Sequence, residues 1–396
     1  MYQRQEFQVL KSRLEEPRRF IQVIAGPRQV GKSTMVKQVL ESLECPHLSC
    51  TTEDAPDTNA QWIRNRWEEA RQTMRFRQYN EFLLVIDEVH KLDNWSNAVK
   101  AEWDYDTRLN INIKVVILGS SRLLLKDGLT ESLAGRFELI EMEHWSYTEM
   151  HDAFGMTIDK YIYFGGYPGG EAFVEDEVRW KNYIRDSIIE PAITKDVLMT
   201  KRIYKPALLK QMFQMGCAYS GQLLAFNKML GQLQDAGNTE TLAGYLQVLD
   251  ESRLLGGLQR YAQDEARKYK SVPKYQVYNS ALLSATANKS FEDTYTSPEE
   301  WGRWVETAVG VHLISNAKRG GYKVFYWREN NDEIDFVLQK SNRLVALEVK
   351  SGRRKKNSGL VAFGNKYVSS LRLVIGGETF PIEQFLQTNP SRLFEI

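Results

Sequence analysis

The glycine-rich loop near the start of the chain reads Gly26-Pro27-Arg28-Gln29-Val30-Gly31-Lys32-Ser33-Thr34. It fits the pattern G-x-x-x-x-G-K-[ST] of a phosphate-binding loop. An apolar stretch at 20–25 precedes it and a helix-compatible stretch at 34–40 follows, which predicts a strand, a loop and a helix. Backbone N–H groups in such a loop form a concave anion site at the helix N-terminus. We therefore expect these residues to bind ATP, with Lys32 at the β- and γ-phosphates and the Ser33 hydroxyl on Mg²⁺.

A second apolar stretch, at 82–86, ends in Asp87 and Glu88. Such a run is typical of a strand buried on both faces of a parallel sheet. We expect Asp87 to hold Mg²⁺ through its water shell, and Glu88 to polarise the water that attacks the γ-phosphate. After a phosphate-binding loop, this acidic pair favours an ATP hydrolase over a small-molecule kinase. A third predicted strand, at 114–118, precedes Ser120, which is our candidate sensor of the γ-phosphate.

An arginine follows the third strand in the segment Leu133-Ala134-Gly135-Arg136-Phe137. The order of phosphate loop, Asp-Glu strand, Gly-Ser-Ser and Gly-Arg-Phe resembles the AAA+ ATPases, specifically their archaeal-type branch. The resemblance implies that Arg136 acts as a finger on a neighbouring subunit's site, since a cation delivered in trans strongly accelerates phosphoryl transfer. It therefore implies a homo-oligomer, with a hexameric ring favoured. From the residues alone, a surface arginine paired with Glu138 or Glu131 is the alternative.

A second group of polar residues lies near the other end of the chain, on three predicted strands at 322–327, 333–338 and 344–350. Glu348 and Lys350 alternate along the third strand and so share a face, while Asp335 can lie beside them on the second strand. Two carboxylates and a lysine can bind Mg²⁺ and orient a water for phosphodiester cleavage. Alternating charges on an exposed strand are the simpler interpretation of the same pattern.

The order Asp, then Glu-x-Lys across a hairpin resembles the restriction-endonuclease-like PD-(D/E)xK nucleases. The resemblance implies an α-β-β-β-α-β core in which Asp335 and Glu348 bind metal and Lys350 is catalytic. Members often carry a glutamate on the first core helix, and Glu306, on a helix-compatible stretch at 301–314, fits that role. Ile334 stands where the family's proline would precede the aspartate.

The middle of the chain is predicted to be helical. The stretch 175–193 suits the lid of an AAA+ module, and three helices followed by a hairpin between 204 and 285 match the winged helix that the archaeal-type branch carries here. The first turn of its recognition helix, at 238–241, contains no Arg or Lys, so a protein contact is favoured over base reading. The basic segment at 267–270 leaves contact with a nucleic-acid backbone open.

The predicted fold class is therefore α/β and multidomain. The expected domains are an AAA+ core at 1–152, a helical lid at 153–203, a winged-helix-like domain at 204–285 and a restriction-endonuclease-like domain at 286–396.

Composition limits the cellular setting and the partners. The chain has 396 residues and a formal net charge of +1, so contact with nucleic acid has to come from a local patch such as 353–356. Three cysteines are too few for a disulfide framework, no apolar stretch reaches the length of a membrane span, and the first residues do not resemble a signal peptide. These features predict a cytoplasmic protein without a membrane segment.

Two functions are compatible with these patterns. In the first, ATP hydrolysis drives a metal-dependent nuclease that acts on nucleic acid, with DNA favoured. In the second, the chain is an ATP-gated switch or assembly protein whose nuclease-like domain only binds nucleic acid or a protein partner. The intact set of Glu306, Asp335, Glu348 and Lys350 favours the first, and the absence of basic residues from the recognition helix favours the second.

Overall fold

The computed structural model describes residues 2–119, 129, 132–198, 203–233, 237–264, 271–352, 358–378 and 380–395, with the backbone alone at 195–196. The chain divides into two compact units, Met1–Glu143 and His144–Ile396. Within the described ranges, no helix combines the length and the apolar character needed to cross a bilayer.

The first unit is built on a parallel sheet. Its strands are β1 (Ile21–Ala25), β2 (His47–Thr51), β3 (Phe82–Asp87), β4 (Ile113–Gly119) and β5 (Phe137–Glu141). Its described helices are α1 (Glu6–Glu15), α2 (Lys32–Glu41), α3 (Gln61–Arg77) and α4 (Trp95–Arg108), with 3₁₀ turns at Thr52–Asp54 and Val89–Lys91. The strand order is β2-β3-β4-β1-β5, and every pairing is parallel.

Buried and largely apolar runs form the centre of this sheet. Every residue of β1 and β4 is buried, as are the first five of β3. Strands covered on both faces need such runs, because neither face can carry solvated side chains. The parallel pairing brings the carboxyl ends of β1, β3 and β4 to one edge, where ligands bind in folds of this class. The predicted α/β architecture with a parallel sheet is confirmed for this unit.

The second unit begins with helices. They are α5 (Tyr147–Phe154), α6 (Ile158–Phe164), α7 (Glu177–Tyr183), α8 (Pro206–Ala218), α9 (Phe226–Leu230) and α10 (Thr239–Glu251). A 3₁₀ helix spans Pro168–Phe173, and π-helical turns span Ile184–Ile189 and Ala192–Val197. A two-stranded antiparallel hairpin, β6 (Leu255–Leu258) and β7 (Lys274–Val277), follows.

The rest of the second unit is a mixed sheet with helices. The helices are α11 (Ser280–Thr286), α12 (Phe291–Thr296), α13 (Pro298–Gly320), α14 (Ser358–Lys366) and α15 (Ile382–Gln387), and a 3₁₀ turn lies at Pro390–Phe394. The strands are β8 (Lys323–Glu329), β9 (Asp332–Lys340), β10 (Arg343–Val349) and β11 (Leu371–Ile375). Their order is β11-β10-β9-β8, with β10 and β11 parallel and the other pairs antiparallel.

Strand β7 and helix α13 are joined by polar contacts in the interior of the second unit. The Gln276 side-chain amide donates to the carbonyl oxygen of Thr307 at 3.0 Å. The Thr307 hydroxyl lies 3.1 Å from that of Ser220, which in turn accepts from the backbone N–H of Val277. Because buried polar groups need partners, this network fixes how β7 lies along α13.

Candidate functional sites

The predicted phosphate loop lies between β1 and α2. Gly31 has φ = 88° immediately before the helix, a left-handed conformation that glycine adopts without the strain of a Cβ. Lys32 is the first residue of α2 and is only 7% exposed. Its ammonium donates to the carbonyl oxygens of Gly26 at 3.0 Å and Pro27 at 2.7 Å. The lysine therefore lies over the loop from which it would contact phosphates.

The structure brings Ser33, Asp87 and Glu88 together at the carboxyl edge of the sheet. The Ser33 hydroxyl donates to Asp87 Oδ2 at 2.6 Å. The other carboxylate oxygen of Asp87 accepts from the backbone N–H of Glu88 at 2.8 Å. Hydroxyl and carboxylate oxygens are the ligands that Mg²⁺ prefers, so Ser33 and Asp87 fit that ion by their chemistry.

Glu88 has an uncommon backbone conformation, with φ = 55° and ψ = 32°. Non-glycine residues held there cost energy and are concentrated at functional sites. Its carbonyl oxygen accepts from the Thr52 hydroxyl at 2.7 Å. Its carboxylate lies 3.4 Å from His90 Nε2 and 3.8 Å from Lys91 Nζ. Both main chain and side chain of Glu88 are thus held in place by neighbours.

Arg4 is a part of this site that the sequence did not reveal. One guanidinium nitrogen donates to the carbonyl oxygen of Val30 in the phosphate loop at 3.0 Å, and another donates to that of Glu143 at 3.0 Å. The residue is 4% exposed. It supports the loop from outside the motif, and nothing in the local pattern around Arg4 distinguishes it from a surface arginine.

Arg136 forms a two-pronged ion pair with Asp104. Its Nε lies 2.8 Å from one carboxylate oxygen and its Nη2 lies 3.1 Å from the other. The alternative prediction that Arg136 pairs with Glu138 was wrong. Glu138 instead accepts from the Gln22 side chain at 3.0 Å and lies 3.6 Å from Arg13. The other proposed partner, Glu131, and the candidate sensor Ser120 lie outside the described residues.

The second site contains three carboxylates, those of Glu306 on α13, Asp335 on β9 and Glu348 on β10, which we call the carboxylate cluster. Asp335 Oδ2 accepts from the backbone N–H of Val349 at 2.7 Å, which ties β9 to β10. The Lys350 ammonium donates to Glu348 Oε1. The four residues singled out from the sequence therefore lie in one region of the second unit.

A fifth residue, Lys274 at the start of β7, lies inside the carboxylate cluster. Its ammonium is 2.6 Å from Glu306 Oε1 and 3.9 Å from Asp335 Oδ1, and it donates to the Asp335 carbonyl oxygen at 3.1 Å. The side chain is only 1% exposed. In the sequence, Lys274 stands just before the predicted second strand of the hairpin, and we predicted no role for it.

The charges in this region are strongly coupled. Burial alone would lower the pKa of Lys274, but the carboxylates of Glu306 and Asp335 outweigh it, so the pKa is raised and the side chain stays an ammonium. Burial raises the pKa of Glu348, and the nearby Asp335 charge adds to this, while Lys350 opposes it. Charged lysines thus offset part of the negative charge that burial would otherwise disfavour.

In this arrangement the carboxylate cluster does not fit a divalent ion. The ammonium of Lys274 lies 2.6 Å from Glu306 Oε1 and 3.9 Å from Asp335 Oδ1, and its positive charge opposes a divalent ion beside these oxygens. Among the side chains that the structure describes, no group of three or more His, Cys, Asp and Glu could hold a metal. The two basic segments of the sequence, 267–270 and 353–356, lie outside the described ranges.

Comparison with protein families divides the chain into three parts. Residues 18–151 match the model of the AAA domain. Over these residues the chain is similar to the AAA domain. Residues 156–293 and 301–393 match two domains of unknown function, DUF8612 and DUF4143. The AAA match covers both the phosphate loop and the Asp87–Glu88 pair, and it supports ATP binding there.

Two relatives that align with most of the chain are uncharacterized proteins. An uncharacterized protein of Haemophilus influenzae is 23% identical over 83% of this chain and 82% of its own length. An uncharacterized protein of Mycobacterium tuberculosis is 24% identical over 93% of this chain and 79% of its own. Among solved structures, the RuvB Holliday junction branch migration motor of Thermotoga maritima is 16% identical, with a TM-score of 0.33 over 66% of this chain and 90% of that one.

Proposed function

We propose that the AAA domain hydrolyses ATP with Mg²⁺. The observation that carries this proposal is the grouping of the Ser33 hydroxyl, the Asp87 carboxylate and Glu88 at the carboxyl edge of the sheet, beside the phosphate loop. The backbone N–H groups of residues 26–34 and the Lys32 ammonium would bind the phosphates. Mg²⁺, held by Ser33 and Asp87, would supply positive charge against the phosphate oxygens.

In this proposal, Glu88 accepts a proton from, or orients, the attacking water. Its backbone is fixed through Thr52, and its carboxylate lies near His90 and Lys91. A base held in this way loses little entropy when it aligns a water with the γ-phosphate.

The test is ATP turnover by the wild type and by the Glu88→Gln variant. The amide keeps the shape of the side chain but cannot accept the proton, so phosphate release should fall by about two orders of magnitude or more while nucleotide affinity is retained. Turnover within a factor of two of the wild type would show that Glu88 is not the base.

We further propose that ATP turnover requires a homo-oligomer, as a ring in which Arg136 completes a neighbour's site. Its support is the position of Arg136, which is 33% exposed and held in a fork-shaped pair by Asp104. In this proposal a γ-phosphate of the neighbouring subunit competes with Asp104 for the same guanidinium. Turnover per subunit should then fall on dilution, and Arg136→Ala should lower turnover at saturating ATP. A concentration-independent rate would refute the ring.

For the second unit we propose a nuclease-like core that ATP turnover controls, with nucleic acid (DNA favoured) as its ligand. The support is the element order α13-β8-β9-β10-α14-β11 together with the grouping of Asp335, Glu348 and Lys350. The ammonium of Lys274 favours the version in which this region binds without cleaving. We derive no metal-dependent step, because the observed arrangement does not fit the metal.

Nicking of supercoiled and single-stranded DNA, with Mg²⁺ or Mn²⁺ and with or without ATP, separates the two versions. Cleavage that is lost in Glu348→Ala would establish a nuclease. ATP hydrolysis without cleavage under every condition would establish a switch, and would direct attention to a protein partner. The helices α8 to α10 with the β6–β7 hairpin, which we assign to a winged helix, are the proposed surface for that partner, because the first turn of α10 carries Glu240 and no basic residue.

A further inference from the structure

Lys274 belongs to a part of the chain that precedes the nuclease-like core. It begins β7, whereas Glu306 and Asp335 belong to α13 and β9. Its ammonium also lies 4.9 Å above the centre of the Phe336 ring, which adds a cation–π contact. Two separate elements, α13 and β9, therefore converge on one buried ammonium of β7, and neither is its sequence neighbour.

The strand that carries Lys274 cannot shift easily along α13. Gln276, two residues on and on the same face, is 1% exposed and donates to the Thr307 carbonyl oxygen. A Cβ at Gly310 would come within 2.1 Å of Gln276 Oε1, so glycine is needed for β7 to approach the helix this closely. Close packing of β7 on α13 therefore fixes Lys274 in the carboxylate cluster.

One oxygen of the carboxylate cluster is buried without a hydrogen-bond donor. Glu348 Oε2 is buried and accepts no hydrogen bond from any described group. A buried carboxylate oxygen without a donor is unfavourable unless a cation satisfies it. Mg²⁺ binds carboxylate oxygens at about 2.0–2.1 Å, so an ion on the Glu306 oxygen that the Lys274 ammonium contacts at 2.6 Å would lie close to that positive charge, and the repulsion opposes its binding.

We propose that Lys274 is the resident cation of the carboxylate cluster, and that the cluster binds a hard divalent cation only when this ammonium is removed. The inference rests on the proposed nuclease-like assignment only for the idea that a metal could act there. Its test measures metal binding rather than cleavage, so the two proposals can fail separately.

The experiment is a Mn²⁺ titration of the full chain without nucleotide, followed by electron paramagnetic resonance of the free ion. We compare the wild type with Lys274→Met, and with Lys274→Arg as the matched variant that keeps the positive charge. Lys274→Met should gain one Mn²⁺ site at least about tenfold tighter than any site in the wild type, whereas Lys274→Arg should not. Adding Asp335→Asn to Lys274→Met should abolish the gained site and so locate it in the carboxylate cluster.

Two results would overturn the inference. One is a wild-type Mn²⁺ site that Asp335→Asn removes and that is as tight as the site in Lys274→Met. The other is a folded Lys274→Met chain that gains no site.

If Lys274→Met does not fold without metal, the readout becomes thermal unfolding over a Mn²⁺ series. Recovery of folding with Mn²⁺, absent from Lys274→Met with Asp335→Asn, supports the inference, and failure to recover contradicts it. Gain of the site without DNA cleavage would leave the inference standing and count against the nuclease.

Discussion

The phosphate loop and the carboxylate cluster each place a lysine ammonium against oxygen atoms, but they do so in different ways. Lys32 donates to two main-chain carbonyls of its own loop, only five and six residues away. Lys274 contacts side chains on α13 and β9, and its partner Asp335 is 61 residues distant. The first lysine can leave its partners by rotating its own side chain, whereas the second is enclosed by α13 and β9.

The phosphate loop is thus arranged for exchange of ligands, whereas the carboxylate cluster already has part of its negative charge offset by its own lysines. Carbonyl oxygens carry partial charges and remain hydrogen-bond acceptors for water, so releasing Lys32 leaves little uncompensated charge. Releasing Lys274 leaves buried carboxylates without a counter-ion, which is strongly unfavourable. A lysine close to acidic groups therefore does not by itself indicate a catalytic site.

The difference between the two sites predicts that the two lysines contribute unequally to the free energy of unfolding. We expect Lys274→Met to lower the free energy of unfolding of the second unit by about 3–5 kcal/mol, because it leaves buried carboxylates unpaired. We expect Lys32→Met to lower that of the first unit by no more than about 1.5 kcal/mol, the contribution of ordinary hydrogen bonds. Urea denaturation with hydrogen exchange of peptides from each unit measures both. Equal losses would refute the distinction.

A fall in pH should destabilise the second unit through a group that lies outside the carboxylate cluster. His312 on α13 is 8% exposed and its Nε2 lies 2.8 Å from the Thr388 carbonyl oxygen. Burial lowers the pKa of His312 to about 4 from 6.5. Stability from the neutral ring is complete above pH 6.5 and is lost as the pH falls towards 4. The loss is about 3 kcal/mol, since one pKa unit corresponds to about 1.4 kcal/mol.

The control for this pH dependence is His312→Gln, which cannot titrate. The difference in unfolding free energy between wild type and variant should shrink from pH 7 to pH 4, measured in the second unit. A difference that is constant with pH would mean that His312 does not titrate between those values.

The smallest expected effect concerns how tightly β7 lies on α13. Gly310→Ala places a methyl group against Gln276 Oε1 and should destabilise the second unit by about 1–2 kcal/mol despite the better helix propensity of alanine. Gly244→Ala is the matched control, because its Cβ meets nothing within 4 Å. It should stabilise α10 by up to about 1 kcal/mol. If both variants behaved alike in thermal unfolding, the close approach would be unimportant.

The elements that carry the candidate residues of both sites could be predicted from the sequence, because those residues lie on short local patterns. The phosphate loop, the apolar strand before Asp87 and the strands that carry Asp335 and Glu348 are each defined by consecutive residues, and the structure has strands where these patterns predict them. Periodicity specifies which face a side chain shares, so Glu348 and Lys350 were expected on one face.

The partners of Lys274 and Arg136 could not be predicted, because they depend on packing between distant elements. Asp104, the partner of Arg136, lies on α4, and its own local sequence gives no indication of the contact. For Lys274 a weak signal existed. Lys274 and Gln276 give β7 a polar face opposite Tyr275 and Val277, and both faces proved to be buried. A polar strand face that is buried requires polar partners, but the sequence does not say which.

Lys274 precedes the expected domain boundary, and this limits where the chain can be divided for experiments. The boundary that we expected at 285/286 separates this lysine from Glu306, Asp335 and Glu348. A fragment that begins at 286 would keep Lys350 but would carry the carboxylates without the Lys274 ammonium. Metal binding or cleavage measured on such a fragment would describe an electrostatic environment that the intact chain does not have. The boundary of the site and the boundary of the domain are therefore not the same.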